Sequence, residues 1–116
     1  MANFEVKRIY DAPAKADGYR VLVDRLWPRG VRKEEAELDE WNKDVAPSTA
    51  LRKQFDHQPD RFAAFSAQYR EELLNKTAEL DRLRAHAKNK QVTLLYAAKD
   101  EQVNHAVVLK EVLSGQ

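Results

Sequence analysis

Two apolar stretches limit what this chain can fold into more than any other feature. In Tyr19-Arg20-Val21-Leu22-Val23-Asp24, three aliphatic residues run together without polar alternation. The second, residues 91–97, has Val92, Leu94 and Leu95 at its centre. Runs of this kind read as strands covered on both faces, which is the situation inside a sheet flanked by helices. The long stretch between them is mostly helical in pattern. A crossover of that length favours placing the two strands parallel in one sheet, with right-handed passage.

The remaining elements follow from local chemistry. Phe4 to Tyr10 is rich in aromatic and branched residues and predicts a first strand. The turn-forming segment 12–18, with Pro13 and Gly18, favours a hairpin to the next strand. Trp27-Pro28-Arg29-Gly30 stops the second strand. Around Leu38, Trp41 and Val45 the spacing fits a helix, while Asp39, Trp41, Lys43 and Val45 also fit a strand. Ser48 is a candidate N-cap for a short helix bearing Leu51 and Phe55. Pro59 suits the first turn of a longer helix with a stripe of Phe62, Phe65, Tyr69 and Leu73. Thr77 is a candidate cap for a helix carrying Leu80, Leu83 and Ala87 that closes near Asn89. A last helix carries Val103, Val107 and Val112 or their neighbours. The expectation is an α/β fold: a small mixed, partly parallel sheet of about three strands packed with four to five helices.

Size and composition set the outer limits. With 116 residues the chain is expected to form one domain, 1–116, able to bury a core without staples. It contains no cysteine, which excludes disulfides, thiolate catalysis and sulfur-ligated zinc, and it suggests a reducing, cytoplasmic compartment. No apolar run approaches the roughly 20 residues of a membrane span, and no signal-peptide core opens the chain. The formal charge of +1 gives no global case for nucleic acid, but the charge is uneven. Between residues 20 and 33 five basic residues face one acid, and between 34 and 44 six acids face Lys43 alone. Mutual neutralisation across adjacent surfaces is the simpler reading; a basic pocket rimmed by an acidic wall is the sharper one.

Ligands of open parallel sheets sit beyond the carboxyl ends of the strands. Two such ends bring candidate chemistry. The second strand delivers Asp24, Arg25, Trp27 and Arg29, and the third delivers Lys99 and Asp100, followed by Asn104 and His105 at a helix start. Arginine offers bidentate recognition of carboxylate or phosphate, and tryptophan can stack on a ring. In a purely structural reading, Asp24 pairs with an arginine, Trp27 plugs the core edge and Arg29 is solvated. Lys99 could hold a phosphate near the helix N-terminus. Asp100 is a candidate base but more readily a helix cap, with Asn104 as the competing cap. His105 is the histidine nearest the candidate site, and its chemistry suits proton transfer. His57 reads as a loop residue and His86 as ordinary surface. No histidine pair has metal-ligand spacing, so neither a metal nor a cofactor is expected.

Three ordered motifs carry a resemblance over essentially the whole chain: 23–30 (Val-Asp-Arg-Leu-Trp-Pro-Arg-Gly), 41–52 with Trp41-Asn42-Lys43-Asp44-Val45-Ala46-Pro47-Ser48 and Leu51-Arg52, and 94–100 (Leu-Leu-Tyr-Ala-Ala-Lys-Asp). Together they closely resemble the YeaO-like branch of the family grouped as domain of unknown function 488 (DUF488). The resemblance implies a compact α/β fold and supplies no established activity. Phe62 stands where that branch typically has tryptophan. Wider relatives often carry a Cys-Ala-Glu…Cys-His-Arg pattern around the third strand. Here Tyr96 and Asn104 take the cysteine positions, Ala98 the glutamate and Ala106 the arginine, so only His105 matches. Thiol or metal chemistry therefore does not carry over.

The expected function is binding of a small anionic, phosphate- or nucleotide-like ligand by Arg25, Trp27, Arg29, Lys99 and Asn104. Asp24, Asp100 and His105 are the candidates for any catalysis. The alternative is a nucleic-acid-binding or regulatory module using the basic segments 20–33 and 76–90, which must then form one positive face. Oligomeric state is not legible at this level, and no membrane partner is expected.

Overall fold

The computed structural model describes residues 3–115. It contains four strands, β1 (Phe4–Arg8), β2 (Tyr19–Leu22), β3 (Glu40–Trp41) and β4 (Val92–Tyr96). Its α-helices are α1 (Lys33–Ala36), α2 (Thr49–Phe55), α3 (Phe62–Leu73), α4 (Thr77–Ala87) and α5 (His105–Leu113). The strands form one sheet in the order β1-β4-β2-β3. Every pairing is parallel, with Val6 opposite Leu94, Val21 opposite Leu94, and Leu22 opposite Trp41.

The α/β class and the parallel pairing of β2 with β4 match expectation, and two details differ. The sheet has four strands rather than about three, because the ambiguous segment around Trp41 supplies the two-residue edge strand β3. The expected hairpin is also absent. β1 and β2 both pair with β4 and lie on opposite sides of it, so the sheet is wholly parallel rather than mixed. The chain between them makes a 3-10 turn at Lys15–Asp17 and re-enters the sheet through Gly18. Gly18 has φ +66°, and a Cβ there would lie 2.3 Å from the carbonyl oxygen of Gln91. That same oxygen accepts the amide of Tyr19 at 2.8 Å and starts the β2–β4 ladder. Only glycine meets both demands.

The two faces of the sheet are covered differently. Phe4, Val21, Val23, Val92, Leu94 and Tyr96 pack under α2 to α5, with Leu51, Phe55, Phe65, Tyr69, Leu73, Leu83 and Leu109 completing the main core. The other face carries Ile9, Leu22 and Leu95 beneath Ala36, Trp27, Val31, Leu38 and Trp41. The loop after β2 therefore acts as the second layer. A buried polar hub anchors it: the Arg20 guanidinium binds the Asp17 carboxylate, the carbonyl of Ala36 at 2.7 Å and that of Glu37 at 3.0 Å. Asp17 also accepts from Lys7 at 3.0 Å and from the Ala14 amide at 2.9 Å. Its backbone oxygen accepts from the Thr93 hydroxyl at 2.6 Å. Burial pushes the Asp17 carboxyl up, but the Ala14 amide, Lys7 and Arg20 outweigh it and hold the group below its ordinary value.

Ser48 caps α2, its hydroxyl accepting the Leu51 amide. Thr77 is not a cap: it is the first residue of α4, and its hydroxyl donates to the carbonyl of Leu74 instead. Of the competing caps before α5, Asn104 takes the position.

Candidate functional site

Parallel pairing places the carboxyl ends of β1, β4 and β2 along one edge. The segments that carry Arg25 and Lys99 thus leave the sheet at the same end. The geometry of each candidate is specific. Asp24 sits at the end of β2, and its Oδ2 accepts the Ala97 amide at 3.0 Å, tying β2 to β4. Its backbone oxygen accepts the Trp41 indole N–H at 2.7 Å. Asp24 is not paired with an arginine. Its Oδ1 faces His105 Nε2 at 3.0 Å, while the imidazole hydrogen is aimed at the Val23 carbonyl, 2.9 Å away. Asp24 Oδ1 is consequently a buried oxygen with no hydrogen bond of its own.

Because Nε2 of His105 lies between two oxygen acceptors, it must carry the proton, which leaves Nδ1 as the ring nitrogen with no hydrogen bond among the described residues. The ring packs edge-on against Tyr69, whose hydroxyl donates to the Val45 carbonyl. Complete burial, then the Asp24 and Glu72 charges, hold the Tyr69 hydroxyl well above its ordinary value, so it stays protonated.

Arg25 turns back over the chain. Its Nε donates to the Pro47 carbonyl at 3.0 Å and its Nη2 to that of Ala46 at 3.3 Å. It ties the β2 exit to the loop before α2. Trp27 is half-buried, donates to the Val31 carbonyl at 2.8 Å and meets Trp41 edge-on at 5.2 Å. It plugs the second core. Asn104 is buried, with Oδ1 accepting the Val107 amide at 3.1 Å and Nδ2 donating to the Asp100 carbonyl at 2.8 Å. The exposed Asp100 carboxylate accepts the amides of Gln102 and Val103, both at 2.9 Å. Those two amides, Val103 first, hold it below its ordinary value. Arg29 and Lys99 are exposed, and among the described residues their side chains form no hydrogen bond, ion pair or ring contact.

Two residues at this edge escaped the sequence reading. Arg8, at the end of β1, donates to the Ala98 carbonyl at 3.0 Å and lies 5.0 Å from the centroid of the Tyr10 ring. The Tyr10 hydroxyl donates to the Arg29 carbonyl at 2.9 Å and so fixes the backbone that presents Arg29. A hairpin would have sent both residues to the opposite edge. Only the direction of β1 could have revealed them.

An open groove of about 420 Å³ lies beside β3, lined by Glu40, Trp41, Asn42, Lys43, Asp44, Glu79 and Arg82. Its polar groups largely satisfy one another. Glu40 accepts from the Tyr19 hydroxyl at 2.7 Å, from Arg82 and from Asn42 at 2.9 Å. Burial raises the Glu40 carboxyl, but Arg82 and Tyr19 bring it below its ordinary value.

The basic segments 20–33 and 76–90 commit many of their cations internally. Arg20 is in the polar hub and Arg25 on carbonyls, while Arg82 is held by Glu40 and Glu79. Arg84 binds Asp81 and the carbonyls of Val112 and Leu113. His86 is not simple surface: it stacks on Tyr19 with ring centroids 4.0 Å apart, and Lys90 lies over the same ring. Across the charged blocks 20–33 and 34–44 only Arg32 and Glu35 form an ion pair among the described residues.

Among the described residues no three His, Asp or Glu side chains gather as a metal site, and no helix is long and apolar enough to cross a membrane.

The fold is a wholly parallel α/β sheet, and the chain belongs to the DUF488 family. The model that matches it, over residues 3–116, is described as the inactive DUF488-N3 subclade. The chain is 49% identical over 111 residues to the uncharacterized protein YeaO of Escherichia coli K12, covering 96% of each chain. It is 43% identical over 111 residues to the uncharacterized protein Rv3073c of Mycobacterium tuberculosis H37Rv, covering 96% of this chain and 93% of the relative. No solved structure matches.

Proposed function

We propose that this is a small binding protein that holds an anionic, phosphate- or nucleotide-like ligand beyond the carboxyl ends of β2 and β4, without turning it over. One observation carries the reading. Arg29 and Lys99 are exposed where β2 and β4 end, with no hydrogen-bond or ion-pair partner among the described residues, whereas their neighbours Arg8 and Arg25 are committed to carbonyls. A free guanidinium and a free ammonium on adjacent loops suit the several oxygens of a phosphate group.

The same geometry favours binding over catalysis. Asp24 Oδ2 is occupied by the Ala97 amide, Asp100 by two turn amides and Asn104 by the cap of α5, while the remaining Asp24 oxygen is buried against His105. Trp27 packs the loop that carries Arg29 and does not offer a free ring for stacking. The description of the matching subclade as inactive points the same way.

Calorimetric titration with inorganic phosphate, pyrophosphate and ATP tests this on the wild type and on Arg29→Ala, Lys99→Ala and the double variant. Each lost charge-assisted hydrogen bond should weaken binding about 10- to 100-fold. A wild type that binds none of the three, or a double variant that binds as tightly as wild type, overturns the proposal.

A further inference from the structure

We infer that β1 is a self-pairing edge: two copies of this chain join antiparallel through β1, so that one sheet runs through both. β1 is the outer strand on one side of the sheet. The bonds from Val92 N to the Asn3 carbonyl and from Ile9 N to the Tyr96 carbonyl fix which way its backbone points. In a parallel ladder with this register, residues 3, 5, 7 and 9 turn their amides and carbonyls towards β4. Phe4, Val6 and Arg8 turn theirs outward. Among the described residues no protein group meets the outward amides of Phe4, Val6 and Arg8 or the carbonyls of Phe4 and Val6.

Natural edges of this length are usually blunted by proline, a bulge or charged side chains, and of these β1 carries only charges, Glu5, Lys7 and Arg8. β1 has no proline and pairs with β4 in unbroken register over five residues. The opposite edge, β3, is only two residues long and offers no comparable template.

The charges on β1 select the partner. A two-fold axis through Val6 sets the two Val6 residues against each other, Phe4 against Arg8 of the second copy, and Glu5 against Lys7. Glu5 and Lys7 then oppose each other as non-hydrogen-bonded pairs, where side chains stand closest and opposite charges attract. Asp17 takes two hydrogen bonds from the Lys7 ammonium, which leaves a third hydrogen for the facing Glu5. The Glu5–Lys110 pair at this edge is loose, at 3.8 Å with both side chains well exposed, and yields readily. The interface is isologous and closes on itself, so it ends at a dimer.

Sedimentation equilibrium of the full chain over a concentration series tests the inference. The wild type should approach twice the 13.4 kDa chain mass. Val6→Pro removes an outward amide that makes no bond within the chain, so the variant should fold, by circular dichroism and thermal melt, yet sediment as a monomer. Glu5→Lys places lysine against the facing Lys7 and should raise the dimer dissociation constant at least tenfold at low salt, leaving the monomer folded. A wild type that stays monomeric up to millimolar concentration overturns the inference. So does a dimer that survives both substitutions, because its contact then lies on another face.

Discussion

Replacing Asp17 by Asn probes the hub that holds the second layer onto the sheet. The Asp17 and Arg20 side chains are only 8% and 5% exposed, so solvent screens their ion pair little. Asparagine keeps the size and one carboxamide oxygen but leaves the Arg20 cation with carbonyl partners alone. Breaking one side of a buried pair costs about 3–5 kcal/mol, since the remaining charge stays desolvated. For a domain of this size that is a fall in Tm of roughly 10–25 °C. The pH dependence has a definite sign. The folded carboxyl titrates below its ordinary value, so its stabilisation is complete above that value, near 4, and is lost as pH falls through the folded value. Urea unfolding of both proteins from neutral to strongly acidic pH measures the difference. The gap should be constant above about pH 5 and narrow below about pH 4. A gap under about 1 kcal/mol at neutral pH, or one that does not narrow in acid, refutes the reasoning.

Other substitutions separate scaffold from site. Gly18→Ala forces a Cβ onto the Gln91 carbonyl at positive φ and should cost about 3 kcal/mol or more in urea unfolding. Asn104→Ala removes the cap of α5 and should cost about 1–2 kcal/mol, whereas Asp100→Ala, at an exposed turn, should cost less in the same assay. The Arg29→Ala/Lys99→Ala variant should melt within about 0.5 kcal/mol of wild type, because both side chains are exposed and form no hydrogen bond or ion pair among the described residues; a larger loss would mean that those groups serve the fold.

The parts of the fold legible in the sequence were those governed by local periodicity. Val21 to Val23 and the 91–97 run announced two covered strands, and Phe65, Tyr69 and Leu73 announced α3. The first strand was misdirected because turn chemistry reports only on near neighbours. The linker from Ile9 to Gly18 looks like a hairpin turn, but its partner β4 lies more than eighty residues away and slips between β1 and β2. That error hid Arg8 and Tyr10 from the site. At β3, Trp41 and Val45 satisfy both helical and strand spacing, and only the pairing of Trp41 with Leu22 decides for the strand. The site was legible as an edge rather than as a set of roles. Sequence gathers Arg25, Arg29 and Lys99 there without showing which cation finds carbonyl partners. Arg25 finds them because Ala46 and Pro47 fold back beneath it.

The central claim, a ligand mouth at the carboxyl edge of β2 and β4, is tested most directly by amide chemical shifts recorded while pyrophosphate or ATP is added. Saturable shifts concentrated at residues 29–30 and 97–105, and lost in Arg29→Ala/Lys99→Ala, are the predicted result. Saturable shifts centred elsewhere, as along residues 76–90, or no saturable shifts with either anion, would contradict it.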